Sequence, residues 1–168
     1  WFPPFPVDSP IESFRRRHDP LADALPAHVT LVFPFPTSLT VTQIGSHIRR
    51  IVGNWPSLPV SFRDVEGIVD EFVVLMLRER VDAIIALHDK LYGGVLKTHL
   101  RDDIAYQPHV TLGRVAGNPS HADFPAMQQI AAREVRGEWR CVLRELAIIT
   151  LQPDGKISID KTIPLNFA

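Results

Sequence analysis

Apolar and polar positions follow two periods along this chain, and the switch points cut it into short elements. "SPIESFRRRHDP" (9–20) carries a helix signature: Ser9 as N-cap, Pro10 in the first turn, Glu12 as the acid within reach, and a stop at Asp19-Pro20. "AHVTLVFPF" (27–35) is rich in branched and aromatic residues and predicts a strand. "TVTQIGSHIRRIVGNW" (40–55) sets Ile44, Ile48, Ile51 and Val52 at helical spacing and ends near Gly53-Asn54. "PVSFRDVEGIV" (59–69) and "EFVVLMLRE" (71–79) predict a hairpin turning near Val69-Asp70-Glu71. "RVDAIIALHDKLYGGVL" (80–96) predicts the strongest helix, with Val81, Ile84, Ile85, His88, Leu91 and Tyr92 on one side. His88 on that stripe is expected to be a buried structural histidine. "AYQPHVTLGRV" (105–115) predicts a strand, and "SHADFPAMQQIAAREV" (120–135) a helix capped by Ser120. "EWRCVLRELAIITLQ" (138–152) and "KISIDKT" (156–162) predict closing strands around a Pro153-Asp154-Gly155 turn. "WFPPFP" (1–6) reads as an edge strand or an extended lead-in, because proline cannot donate to a central ladder.

The pattern repeats. His-Val-Thr-Leu stands at 28–31 and again at 109–112, an offset of 81. At the same offset the helix beginning near 40 falls on the one near 121, and "FRDV" (62–65) falls on "LREL" (143–146). Each copy reads strand, helix, strand, strand. An internal duplication accounts for this better than two chance matches, with repeat halves of approximately 25–80 and 106–162. The expected fold class is α+β and bilobal. Two pseudo-symmetric lobes, each a mostly antiparallel sheet with outer helices, would form one domain over 1–168 with an active-site cleft between them.

Composition narrows the function. The 168 residues are 45% hydrophobic and 22% charged, with a formal net charge of −1. That balance argues against coating long nucleic acid but leaves room for a nucleotide or an RNA end. The single Cys141 forms no internal disulfide. No apolar run approaches the ~20 residues of a membrane span, and no charged-then-apolar leader opens the sequence. A cytoplasmic monomer without membrane contact is expected.

In a strand, His28 and Thr30 share one face while Val29 and Leu31 share the other, and His109, Thr111, Val110 and Leu112 repeat the arrangement. The polar pair stands about 6.6 Å apart along the strand, close enough to serve one phosphate-sized group. Two such strands facing one cleft would supply two imidazoles and two hydroxyls. In-line displacement at phosphorus needs a base for the attacking water and an acid for the departing oxygen, and histidine fills either role near neutrality. Threonine hydroxyls can donate to non-bridging oxygens as charge builds there. No metal or other cofactor is required.

The two H-V-T-L stretches resemble the paired H-x-T-x motifs of the 2H phosphoesterase superfamily, the 2′-5′ RNA ligase-like family. "RRRHDPLADALPAHVTLVFPF" and "LHDKLYGGVLKTHLRDDIAYQPHVTLGR" are similar to the surroundings of those motifs in bacterial members. The resemblance implies a bilobal α+β fold. It also implies metal-independent hydrolysis of 2′,3′-cyclic phosphates or 2′-5′ linkages of nucleotides or short RNA, with reversible ligation in some members. It carries the catalytic roles to His28, Thr30, His109 and Thr111, with His109 activating water and His28 protonating the leaving oxygen.

Secondary candidates are weighed beside these. Arg114 could meet a phosphate, although strict alternation points it away from His109. Tyr106, Phe33 and Phe35 could form a stacking wall for a base. "RRRH" (15–18) reads as a solvated helix face or a basic lip for RNA. His121 falls on Thr40 at the repeat offset, which argues against a duplicated role for it. Two other function classes compete: a non-catalytic nucleotide- or RNA-binding module using the same cleft, and a metal site built on His28 and His109. The latter lacks the three or four ligands zinc requires.

Overall fold

The computed structural model describes residues 1–69, 71–115, 123–152 and 154–166. Ser120 and His121, with Asp70 and Pro153 of the two expected turns, lie outside the described residues. Among the described residues four α-helices and six strands follow in the order α1 (Pro10–His18), α2 (Val41–Val52), β1 (Leu58–Ile68), β2 (Phe72–Leu77), α3 (Val81–Leu91), β3 (His109–Arg114), α4 (Asp123–Glu134), β4 (Trp139–Leu143), β5 (Glu145–Leu151) and β6 (Ile157–Pro164). Ser9 caps α1 as the sequence predicts, accepting from the N–H of Glu12, and α2 starts from a cap not singled out in the sequence, Thr40, in a reciprocal capping box with Gln43.

The chain forms a mixed helix–sheet fold with two antiparallel sheets. The larger has the order β3-β2-β1-β4, and β5 pairs with β6 in the smaller. Helices α1 and α4 pack on the larger sheet, α2 packs on β6, and α3 meets α2. The core is continuous from Ile11 and Phe14 of α1 through Phe62, Leu75, Leu77 and Leu112 to Ile84 and Leu87 of α3. No described helix is long and apolar enough to cross a membrane.

The larger sheet mixes the two sequence halves: β1 and β2 are flanked by β3 and β4. The β1–β4 register maps onto itself under the 81-residue shift. The Leu58–Leu143 pair becomes Trp139–Phe62, which is also present, and Val60–Cys141 maps to itself.

Four expectations are corrected. Residues 27–35 form no strand; the chain bends at Ala27, Leu31 and Val32, and among the described residues Val29 exchanges its backbone hydrogen bonds with Trp1 (2.8 and 3.1 Å). Pro26, Pro34 and Pro36 have no N–H to give a neighbour. The stretch 138–152 is two strands in different sheets, broken at Arg144, whose carbonyl accepts from Leu165 (2.7 Å) instead. Helix α3 stops at Leu91, because Gly93-Gly94 interrupts it before a 3₁₀ turn over Gly94–His99. Strand β3 begins at His109 rather than 105, since Pro108 cannot donate.

One turn carries backbone strain. Val69 has φ 49 and is 77% exposed, so a β-branched side chain sits in left-handed space with no packing in return. Val69→Asn is expected to raise stability by about 1 kcal/mol. It would be read as a higher denaturant midpoint at unchanged slope.

Candidate functional site

Both motifs show the predicted alternation. His28, Thr30, His109 and Thr111 are half-buried, while Val29, Leu31, Val110 and Leu112 are buried. In β3 the ladder assigns the faces. His109 pairs with Met76 and Thr111 with Val74, while Val110 pairs with Leu75. Val110, Leu112, Leu75 and Val73 belong to the main core; the histidine and threonine take the opposite face.

The register slips by one residue between Val73 and Val74, where Val73 pairs with Gly113 and Val74 with Thr111. The extra residue is a bulge, and Gly113 suits it: a Cβ there would lie 2.8 Å from the Met127 sulfur and 2.9 Å from His18 Cβ. Beyond the bulge the parity of the strand reverses. Arg114, paired with Phe72, therefore lies on the same face as His109 and Thr111, which corrects the strict-alternation argument. Its guanidinium ion-pairs with Glu71 and sits 5.2 Å over the Phe72 ring.

The two imidazoles share a backbone arrangement. His28 Nδ1 meets the carbonyl of Pro26 (2.9 Å), and His109 Nδ1 meets that of Gln107 (2.6 Å). In each case the acceptor lies two residues earlier, so the contact recurs at the same 81-residue offset. A carbonyl only accepts, which fixes the proton on Nδ1 and leaves Nε2 as the variable position. Burial lowers the pKa of both histidines, and the carbonyl contact opposes this in part. At neutral pH both imidazoles of the free protein are mainly uncharged.

The first motif is held differently from the second. Its approach is fixed by a buried ionic cluster on α1. Arg15, 0% exposed, binds Glu12 (3.0 Å), Asp19 (2.7 and 3.1 Å) and the Leu25 carbonyl (2.9 Å), while Glu12 accepts from the N–H of Ala27 (2.8 Å). "RRRH" is therefore not a uniform solvated face. Arg15 is buried, Arg16 binds the Val7 carbonyl (2.9 Å), and Arg17 pairs with Glu134. These positioning residues were missed from sequence; the available signal was the Glu12-x-x-Arg15-x-x-x-Asp19 spacing, which suits helical ion pairs. Downstream, Tyr106 donates to the Thr30 carbonyl (3.0 Å), and His88, 4% exposed as expected, contacts the Leu31 carbonyl (2.7 Å).

Of the aromatic candidates, Tyr106 has one ring face stacked on His88 at 3.8 Å, and Phe33 meets it edge-on at 6.4 Å. Phe35 stacks on His99 at 4.0 Å. Phe2, which the sequence did not single out, approaches His28 edge-on at 6.3 Å. Among the described residues no cluster of three or more His, Cys, Asp or Glu side chains is placed to hold a metal ion.

Comparison with known proteins gives the family. The sequence model of the 2′-5′ RNA ligase superfamily matches residues 3–155. A protein named "Putative phosphoesterase" from Geobacillus kaustophilus is 26% identical over 124 residues, covering 73% of this chain and 70% of that protein. A similarly named protein from Bacillus licheniformis is 27% identical over 124 residues, covering 73% and 72%. E. coli LigT, solved with ATP, superposes with a TM-score of 0.53 at 17% identity over 97% of this chain and 94% of LigT. Its complex with 3′-AMP gives 0.52 at 17% over 98% and 92%. With the family match spanning almost the whole chain and the fold shared with LigT, this protein belongs to the 2′-5′ RNA ligase superfamily, the 2H phosphoesterases.

Proposed function

We propose that the chain is a metal-independent phosphodiesterase that opens 2′,3′-cyclic phosphates or cleaves 2′-5′ linkages of nucleotides or RNA ends. The observation that carries this reading is the repeated His-x-Thr unit with each Nδ1 tied to the carbonyl two residues earlier. Membership of the superfamily supports it, and LigT's complexes with ATP and 3′-AMP are consistent with a nucleotide ligand. The two motifs face a common cleft of one bilobal domain, and the enzyme works as a cytoplasmic monomer.

In hydrolysis His109 Nε2 takes a proton from water as its oxygen bonds to phosphorus. The bond from phosphorus to the departing oxygen breaks, and His28 Nε2–H delivers a proton to that oxygen. Thr30 and Thr111 donate to the non-bridging oxygens. Run backwards with exchanged roles, the same steps join ends. Arg114, on the His109 face, is the cation for a phosphate, exchanging Glu71 for it. Phe35 and Tyr106 border the base.

Incubation with 2′,3′-cyclic nucleotides and short 2′-5′ oligomers in EDTA is the direct test. Turnover is expected. Loss on chelation would sink the metal-free mechanism, and nucleotide binding without turnover would make the chain a binding module.

The pH profile of kcat/KM has a defined sign. One imidazole must be neutral and the other charged, so the rate peaks midway between the two pKa values. Burial lowers both from 6.5, which places the optimum of the free enzyme below 6.5. A bound phosphate anion favours the imidazolium, so the optimum of kcat lies higher than that of kcat/KM. A flat profile would exclude paired histidines.

A further inference from the structure

Residues 30–33 lie in no ladder, so their buried backbone groups need other partners. Three side chains supply them. Tyr106 Oη donates to the Thr30 carbonyl (3.0 Å), His88 Nδ1 donates to the Leu31 carbonyl (2.7 Å), and Tyr92 Oη accepts from the N–H of Phe33 (2.9 Å). The three rings form one unit. His88 and Tyr106 stack at 3.8 Å and 7°, and Tyr92 meets His88 edge-on at 4.9 Å.

The members come from different parts of the chain. His88 belongs to α3 and Tyr92 caps it. Tyr106 stands three residues before His109, on a segment anchored where the Leu77 N–H bonds the Pro108 carbonyl (3.1 Å). Only Gln107 and Pro108 separate Tyr106 from His109, and the proline φ is fixed, so few torsions stand between the ring stack and the second motif. One ring stack thus touches the backbone of Thr30 and is continuous in the chain with His109.

We propose that Tyr106 and His88 are positioning residues that set the spacing between the two His-x-Thr motifs. The proposal rests on the phosphodiesterase reading for its kinetic consequence, since in-line displacement punishes small misplacement of acid against base. Its structural core is independent of that reading. The second motif has a sheet ladder to hold it, whereas the first has the Val29–Trp1 backbone pair and side chains, and the tyrosine hydroxyl joins the two.

Tyr106→Phe removes that hydroxyl and keeps the stack. kcat is expected to fall about five- to tenfold, less than the ~10²-fold that a 1 Å misplacement can cost, with KM within about twofold and the thermal midpoint within a few degrees. His88→Phe, which keeps an aromatic ring but loses the donor to Leu31, should act the same way. A positioning role predicts that Tyr106→Phe has no further effect in a His28→Ala background, because the alignment it maintains no longer matters. The imidazole Cε1–H resonance of His28, followed by NMR, should shift in Tyr106→Phe although the two residues are 78 positions apart. An unmoved His28 resonance, or a kcat loss that persists in full in the His28→Ala background, would overturn the proposal. If the wild type turned over none of the phosphodiesters while the His28 resonance still moved, the activity assignment would fail and the positioning of the motif would stand.

Discussion

Replacing His28 or His109 with alanine is expected to lower kcat by about 10²–10⁴, the usual contribution of a general acid or base. At 1.36 kcal/mol per decade this is roughly 3–5 kcal/mol of transition-state stabilisation. Folding should be nearly unaffected. Each imidazole is half-buried, His109 lies on the face of β3 opposite the core residues, and among the described residues each ring bonds a backbone carbonyl near in sequence. On the proposed mechanism acid and base act in one step, so the double variant should lose little more than the worse single one. Steady-state rates beside denaturant midpoints separate the two effects. Full rate in either variant would end the two-histidine mechanism.

Arg15→Met should be the most damaging change for stability. The guanidinium is fully buried, and Glu12 and Asp19 are each 9% exposed. Removing the cation leaves two carboxylates without their partner in a site that keeps water out, which costs about 3–5 kcal/mol. That is a large part of the 5–15 kcal/mol that holds an ordinary domain together. Arg15→Lys should recover only part of the loss, because an ammonium cannot reproduce the fork that meets Glu12, Asp19 and the Leu25 carbonyl at once. Denaturant titration measures both. A loss under 1 kcal/mol in Arg15→Met would mean the carboxylates find other partners. Activity should fall further than the folded fraction, because Arg15 and Glu12 hold Leu25 and Ala27 immediately ahead of His28.

Much of this was legible in the sequence where a local rule decides the outcome. Ser9 caps its helix because a hydroxyl just before a helical run has few better uses. The β1–β2 hairpin follows from two branched, aromatic runs meeting at a turn. The alternation of His28, Val29, Thr30 and Leu31 sorts polar from buried positions even without a ladder. What was not legible depends on partners distant in the chain. Strand-type composition in 27–35 says nothing of what its backbone bonds to, and the partners are the side chains of Glu12, Tyr106, His88 and Tyr92 and the backbone of Trp1. Three consecutive arginines read as a surface run because composition cannot distinguish the one facing two carboxylates. The parity reversal before Arg114 had a signal, a glycine inside a strand, which strict alternation passed over. The break at Arg144 had a signal too weak to act on, two adjacent charges, Arg144 and Glu145, that interrupt the alternation.

The strand order β3-β2-β1-β4 has a consequence for how the chain is made. The central hairpin is complete once residue 77 has been added, but its two flanking strands end at Arg114 and Leu143. Until then both outer edges of an apolar hairpin expose unpaired N–H and C=O groups. A nascent chain stopped short of β4 therefore presents an open template for another chain. Its solubility during synthesis depends on how quickly the last third arrives, or on a chaperone that covers those edges in the meantime.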